Sequence, residues 1–311
     1  MKTISQLLSR KRSPSASNYT YHPHRRQNQQ PSPEIPFEFD ESFDAGVFEK
    51  TGITHGKNEN RIIIEDISPE LTLYGVLAGH GGDCCVEYLH DALPRVFIER
   101  IQAGLSREDA LKESFLICSE EFDNAPRLAP HRQAGAVALL CLTDNVTKQC
   151  YIANAGDCRI FASQNSDSVI CINKIHRVDD PYERERVESL GGVICLDHGI
   201  PKVQRVITQS RTFGDINVRT KPDGTLCSFL HPDPDIYKIP FPEKNTENGH
   251  GYLILSTGSM GDALSEQRIS EIICTKLKQG ASAEDIAVNL GQSCAHKVED
   301  LSVLVLTWSD M

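Results

Sequence analysis

The sequence lacks the features that mark several large classes of protein. It has no apolar run near the roughly 18 residues that a membrane-spanning helix needs, so we predict no membrane helix. Its 32 Lys and Arg are outnumbered by 43 Asp and Glu, and the net charge of −11 argues against a nucleic-acid partner. It has no internal repeat and no glycine-rich loop of the Walker or dinucleotide type. These absences leave a soluble globular protein with one large domain as the simplest prediction.

Metal-binding and disulfide-forming cysteine patterns are also missing. The 11 cysteines are scattered singly, apart from the neighbours Cys84 and Cys85, and no CxxC pair occurs. We therefore predict neither a zinc site nor a disulfide framework. The cysteines are expected to be reduced thiols that serve as small apolar residues in an intracellular protein.

The first part of the chain differs in composition from the rest. Residues 1–33 contain Lys, Arg, Ser, Gln and Pro, with no acidic residue before Glu34. Such a composition cannot bury a core, so residues 1–40 are predicted to form a disordered basic segment. This segment resembles a mitochondrial transit peptide. The alternative is a solvated tail that carries no targeting signal. The expected location is the mitochondrial matrix or, on the alternative, the cytoplasm, and the folded domain is predicted to span residues 45–309.

Within that domain, short strands alternate with amphipathic helices. Strands are predicted from β-branched and apolar content at residues 72–78, 136–142, 151–154, 168–172, 252–256 and 301–308. Apolar stripes at helical spacing predict four helices, around residues 86–101, 111–122, 269–277 and 286–290. Ser106 and Ser282 each precede an aspartate by three residues, as N-terminal caps do. Two pairs of consecutive helices, separated by runs of strands, indicate an α+β layered fold.

The most informative motif is a Gly-His-Gly-Gly turn at residues 79–82, between a strand and a helix. Glycines at such a junction allow the backbone to approach an ion or a phosphate closely. Six further motifs follow in order: residues 154–159 (NAGDCR), 183–192 (ERERVESLGG), 209–215 (QSRTFGD), 232–235 (PDPD), 255–260 (LSTGSM) and 299–302 (EDLS). This ordered set resembles the type 2C metal-dependent protein phosphatases, the PPM family, over residues 45–308.

The resemblance implies a fold and a chemistry. The family fold is a sandwich of two antiparallel β-sheets flanked by antiparallel helix pairs, in agreement with the α+β pattern. The family hydrolyses phosphoserine and phosphothreonine with two Mn²⁺ or Mg²⁺ ions that share a bridging water. These hard cations need oxygen ligands, chiefly carboxylates. The lengths of the first segments look most like the mitochondrial branched-chain ketoacid dehydrogenase phosphatase branch of the family.

Most of the carboxylates that the resemblance calls for are missing. The aspartate that bridges both metals in the family is Ala78 here, and a second metal aspartate is Gly258. A Glu-Asp pair near the start of the family domain falls on Glu59 and Asn60 when counted back from Gly79 without gaps. Three lost ligands should abolish two-metal turnover, since even changes around a ligand shell cost about 10–100-fold.

The start of the domain allows a second alignment. Residues 61–66 (RIIIED) imitate the family pattern in which an arginine binds phosphate and a Glu-Asp pair follows, which would make Arg61 the phosphate ligand and Asp66 a metal ligand. The gapless alignment, which we favour, puts His55 at the phosphate-binding position.

Several positions still match the family. By resemblance, Gly79 can lend its carbonyl to a metal, Asp300 matches the last metal ligand, and Asp157 matches an acid that assists an additional metal in some relatives. His80 matches the proposed general acid, so His80 and Glu59 are remnants of the catalytic set. Asp66 and Asp262 are the candidates for substitute ligands.

Some retained residues have structural interpretations. His80 is expected to be held by a backbone hydrogen bond, and Asp157 to cap a turn beside Gly156. The acidic and basic run from Glu183 to Glu188 is expected to be a solvated helix face. Arg211 and Asp215 are expected to form a structural pair or turn.

The sequence therefore predicts a pseudophosphatase. We expect a catalytically inactive domain without a metal cofactor that binds a protein, phosphorylated or not, or regulates an active phosphatase or kinase pathway. The alternative is a divergent serine/threonine phosphatase that binds two Mn²⁺ or Mg²⁺ ions through relocated acids. A single-metal enzyme for a small phosphorylated substrate is a third option with no specific support.

Overall fold

The computed structural model describes residues 43–53, 56–125, 129–164, 168–242, 250–294 and 299–309. Residues 1–42 and His55 lie outside this set. The predictions for the basic first segment and for a phosphate site at His55 therefore stay predictions.

The strands form two large antiparallel sheets and one small ribbon. The strands are β1 (Asp44–Lys50), β2 (Asn60–Ser68), β3 (Leu71–His80), β4 (Gly135–Asp144), β5 (Gln149–Ala155), β6 (Arg159–Gln164), β7 (Ser168–Cys171), β8 (Ile194–Asp197), β9 (Ile200–Val203), β10 (Phe213–Gly214), β11 (Asp235–Pro240), β12 (His250–Ser256) and β13 (Leu301–Ser309). The first sheet has the order β1-β13-β12-β6-β7, and the second has the order β11-β5-β4-β3-β2 with β10 paired to β4. The β8–β9 ribbon stands apart from both sheets.

The helices lie between the strands along the chain. They are α1 (Cys84–Gln102), α2 (Arg107–Asn124), α3 (Ala129–Gln133), α4 (Pro181–Ser189), α5 (Ile216–Arg219), α6 (Gly258–Ala263), α7 (Glu266–Lys278) and α8 (Ala283–Ser293). The four predicted helices are α1, α2, α7 and α8. The predicted caps are confirmed, since the Ser106 and Ser282 hydroxyl oxygens accept the backbone N–H groups of Asp109 and Asp285 at 3.1 Å.

The alternation of side chains along the strands produces the layers. In β4, Val137 and Leu139 face the other sheet, whereas Ala138 and Leu140 face the helices. One core lies between the sheets, a second packs α1 and α2 on the second sheet, and a third packs α7 and α8 on the first sheet. The predicted sandwich of two antiparallel sheets flanked by helix pairs is confirmed.

Two expectations from composition can be compared with the structure. All 11 cysteines lie among the described residues, and each is a free thiol. In the described part of the chain, no helix is both long enough and apolar enough to cross a membrane.

Candidate functional site

Five of the seven family motifs meet at one open cleft of about 1220 Å³ at an edge of the sandwich, whereas residues 183–192 and 232–235 do not line it. Its walls include the facing ends of β2 and β3, the turn after β5, the start of α6, and β9 with the loop that follows it. Seven of the sequence-predicted positions line it: Asn60, Ala78, Gly79, His80, Asp157, Gly258 and Asp300. Asp262 lines the same cleft. The structure thus brings together the positions that the resemblance assigned to metal binding.

The first pair of lost ligands lies side by side on β2 and β3. Asn60 is the direct cross-strand partner of Ala78, and the Glu59 carbonyl accepts the Gly79 N–H at 3.0 Å. Asn60 is only 3% exposed, and among the described residues its side-chain amide nitrogen has no hydrogen-bond acceptor. One Glu59 carboxylate oxygen is likewise buried without a described donor. At the two positions where the resemblance calls for metal-binding acids, the side chains are therefore a neutral amide and a methyl group.

The second alignment places its residues elsewhere. Asp66 pairs across the strands with Thr72, six positions along β2 from Asn60, which corresponds to about 20 Å at the usual strand rise. Asp66 is therefore too far from the cleft to replace a missing ligand there. The Arg61 side chain donates to Glu87 and to the carbonyls of Asn58 and Asn60 and does not line the cleft, so it is not placed to bind phosphate there.

Asp300 uses both carboxylate oxygens to hold the backbone. Its Oδ1 accepts the Gly52 N–H at 2.6 Å, and its Oδ2 accepts the Glu59 N–H at 2.7 Å. Hydrogen bonds to an ionised carboxylate are shorter and stronger than neutral ones. Asp300 thus connects the start of β13 to the segment between β1 and β2, which is a structural task that needs no metal.

Replacement of Asp300 by alanine should lower the free energy of unfolding by about 2–4 kcal/mol, because two backbone N–H groups lose a charged acceptor. Urea unfolding followed by circular dichroism measures this change. Asp300→Asn, which keeps one acceptor oxygen, should lose less. A wild-type unfolding midpoint in Asp300→Ala would contradict the assigned role.

An arginine occupies the part of the cleft beside Gly258. The Arg177 guanidinium donates to Asp157 through Nε at 2.8 Å and to Asp262 through Nη2 at 2.6 Å. A Cβ atom added at Gly258 would lie 3.1 Å from the Asp157 carboxylate and 3.2 Å from Nη2 of Arg177. The two acids and the lost-aspartate position therefore surround a fixed positive charge. Gln209 completes the set by donating to Asp157 at 3.0 Å.

These ion pairs determine whether the predicted acidic ligands Asp157 and Asp262 are free to bind a metal. Asp157 is buried and paired with Arg177, so it does more than cap a turn beside Gly156. Both carboxylate oxygens of Asp262 are in ion pairs, one with Arg159 at 2.5 Å and one with Arg177. Asp262 is therefore not a free substitute ligand. Sequence reasoning missed Arg177, because no motif marks it and its partners lie 20 and 85 residues away.

His80 is held by a carboxylate and not by the expected backbone hydrogen bond. Its Nε2 lies 2.9 Å and 3.0 Å from the two carboxylate oxygens of Asp215. Gly135 makes room for this pair, since a Cβ atom there would collide with both side chains. Burial by itself lowers the pKa of His80, but the Asp215 charge and the hydrogen bond to it outweigh burial and raise the pKa above its usual value. The Asp215 carboxylate therefore fixes the position of the His80 ring in the cleft.

The motif around Glu183 also differs from the expectation. Glu183 is fully buried and accepts from Arg211 at 2.7 Å, from Arg186 at 3.0 Å and from Ser210 at 2.6 Å. The prediction of a solvated face is therefore wrong for this residue, although Glu185 and Glu188 are exposed. Arg211 pairs with Glu183 and with Asp235, not with Asp215 as expected.

The donor set does not fit two divalent ions. Positions 60, 78 and 258 carry an amide, a methyl group and a hydrogen atom, and Asp300 is committed to backbone N–H groups. Asp157 and Asp262 are already neutralised by arginines. Within the described ranges, no three His, Cys, Asp or Glu side chains are grouped so that they could hold a metal ion. Two dications about 4 Å apart require bridging anions, which this cleft does not present.

Comparison with known proteins gives a consistent result for sequence and fold. The family profile described as "Protein phosphatase 2C" matches residues 45–300. "Probable protein phosphatase 2C 27" from Oryza sativa subsp. japonica is 30% identical over 211 residues, which cover 67% of this chain and 56% of that protein. "Protein phosphatase 1L" from Bos taurus is 24% identical over 216 residues, with coverage of 67% and 56%.

Solved structures show the same fold. A serine-threonine phosphatase 2C from Toxoplasma gondii superposes with a TM-score of 0.70 at 17% identity, covering 88% of this chain and 97% of that one. A C. elegans sex determining protein superposes with a TM-score of 0.69 at 20% identity, covering 85% and 64%. The chain spans a little over half the length of the first curated relatives that it matches.

Proposed function

The chain belongs to the protein phosphatase 2C family, and we propose that within this family it is a pseudophosphatase, a domain that binds a protein without hydrolysing phosphate. The family fold is present, and the cleft where the family chemistry takes place has a different set of side chains. A non-catalytic binding or regulatory role is the function that this combination supports.

The single observation that carries the proposal is the position of Arg177. Its guanidinium fills the space between Asp157, Asp262 and the Gly258 backbone, where the family has an aspartate in place of Gly258. Arginine stays protonated under all physiological conditions and binds carboxylates through a rigid fork. A divalent ion would have to displace this charge and then find anionic ligands at positions 60 and 78, which have none.

The test is a measurement of Mn²⁺ binding by calorimetry, with a phosphothreonine-peptide turnover assay on the same sample and an active family member as the positive control. We expect no Mn²⁺ binding at micromolar concentration and turnover at the level of the buffer blank. Two bound ions with turnover that Asp300→Asn abolishes would establish the alternative, a divergent serine/threonine phosphatase. The variant Asp66→Asn is the matched control, because Asp66 lies outside the cleft.

A further inference from the structure

One wall of the cleft is apolar and accessible. Ile200, at the start of β9, is 52% exposed, and Val206, in the loop after β9, is 55% exposed. Both line the cleft, with the partly buried Pro201 between them in the chain. Large aliphatic side chains that remain half exposed on the wall of a concave site are typical of a surface that another molecule covers.

The cleft also carries an excess of negative charge. Six of its lining residues are acidic, whereas three are Lys or Arg. Three of the six acids are paired, Asp157 and Asp262 with arginines and Asp215 with His80, which leaves Asp179, Glu299 and Asp300 without a cationic partner among the described residues. Two of these three cations are already paired, Arg177 with Asp157 and Asp262, and Lys202 with Asp197 at 2.7 Å. Asp179 and Glu299 line the cleft and are exposed to solvent. A positively charged group entering the cleft is therefore attracted, and a phosphate is repelled.

We infer that the cleft binds an unphosphorylated protein segment in which Lys or Arg side chains lie next to aliphatic ones. The aliphatic side chains pack on Ile200 and Val206, and the cationic side chains face Asp179 and Glu299. This inference rests on the proposed function, because a cleft loaded with two divalent ions would repel the same segment. It also specifies an unphosphorylated partner, whereas the sequence left open whether the partner is phosphorylated.

Fluorescence anisotropy with three matched peptides tests the inference. The first peptide repeats Leu-Lys-Ser, the second has Glu in place of Lys, and the third is the first with phosphoserine in place of Ser. We expect the first to bind about tenfold more tightly than the other two, and to weaken as ionic strength rises. The double variant Ile200→Ser/Val206→Ser should weaken its binding about tenfold, since two half-exposed aliphatic side chains no longer become buried.

A second double variant tests the two exposed acids, Asp179 and Glu299, and two single variants serve as controls. Asp179→Asn/Glu299→Gln should weaken binding of the Leu-Lys-Ser peptide about threefold and reduce the dependence on salt. Val146→Ser, in the exposed β4–β5 turn, and Glu65→Gln, on the outer part of β2, should leave binding unchanged because neither lines the cleft.

The outcomes separate the two proposals. Failure of the Leu-Lys-Ser peptide to bind, or equal weakening by the control variants, would overturn the assignment of this surface. Tighter binding of the phosphoserine peptide without its hydrolysis would overturn the partner chemistry and leave the pseudophosphatase proposal intact. Release of phosphate from that peptide would overturn the pseudophosphatase proposal itself.

Discussion

A variant with aspartate at positions 60, 78 and 258 and glutamine at position 177 is expected to bind Mn²⁺ at micromolar concentration. The same three aspartates with Arg177 kept are expected to bind Mn²⁺ about 100-fold more weakly. Restoring the ligands alone is insufficient, because the guanidinium holds Asp157 and lies 3.2 Å from the Cβ position of residue 258. A new aspartate there would form another ion pair with Arg177.

The magnitude follows from the charges. Two unit charges about 4 Å apart interact with about 4 kcal/mol at an effective dielectric constant of 20, and a dication doubles the repulsion. Solvent reaches the open cleft and screens much of this energy. A remaining penalty of about 2.7 kcal/mol corresponds to the 100-fold difference in affinity.

Calorimetry of four chains measures the effect: the wild type, Gly258→Asp, the triple-aspartate variant, and the triple-aspartate variant with Arg177→Gln. Triple-aspartate with Arg159→Gln is the matched control, since Arg159 binds Asp262 but does not contact Asp157. Circular dichroism verifies that each chain is folded. Equal Mn²⁺ affinity with and without Arg177 would show that the arginine does not compete with metal.

The second large effect is expected at the buried ion pair of Glu183 and Arg211. Glu183→Gln should lower the free energy of unfolding by about 3–5 kcal/mol at pH 7, because it removes the buried anion that Arg211, Arg186 and Ser210 share and leaves Arg211 with Asp235 alone. The exposed Glu185 is on the same helix, and Glu185→Gln should change stability by less than about 0.5 kcal/mol. Urea unfolding of the two variants beside the wild type provides the comparison.

The same pair predicts a pH dependence. Burial by itself raises the pKa of Glu183, but the hydrogen bonds from Arg211 and Ser210 and the charges of Arg186 and Arg211 outweigh it and lower the pKa from 4.5 to about 2. A depressed carboxylate pKa stabilises the fold above pH 4.5, and this contribution is lost as the pH falls through that value toward 2. The stability difference between wild type and Glu183→Gln should therefore shrink across that interval. A difference that stays constant down to pH 2 would contradict the ionised state of Glu183.

Elements with strong local signals could be predicted from the sequence. The helical stripe of α1, the Ser282 cap of α8 and the continuous apolar run of β4 each arise from neighbouring residues. The β8–β9 ribbon could not be predicted, because its exposed strands carry a mixed pattern. β2 was missed as a strand as well, since it lies at the edge of its sheet and its run of three isoleucines is flanked by Arg61 on one side and by Glu65 and Asp66 on the other.

Some features of the candidate site could also be predicted from the sequence, and others could not. The cleft-lining positions followed from motifs, because the strand register and the turns fix them. The ion pairs of the site could not be predicted from the motifs. Arg177 meets Asp262, and Arg211 meets Glu183, only through the tertiary fold, over 85 and 28 residues. A charged helix such as α4 is predicted from sequence to be solvent-exposed when the residue that pairs with its buried acid lies far away along the chain.

The position of Arg177 also constrains how this sequence can change with time. Loss of Arg177 alone would leave Asp157 and Asp262 close together without their shared cation. Gain of an aspartate at position 258, 78 or 60 alone would add one acid while the other two positions still carry none. None of these single substitutions by itself restores the set of acids that two divalent ions need. On the proposed function, Arg177 therefore opposes a return to metal-dependent hydrolysis by single substitutions, and several positions would have to change together.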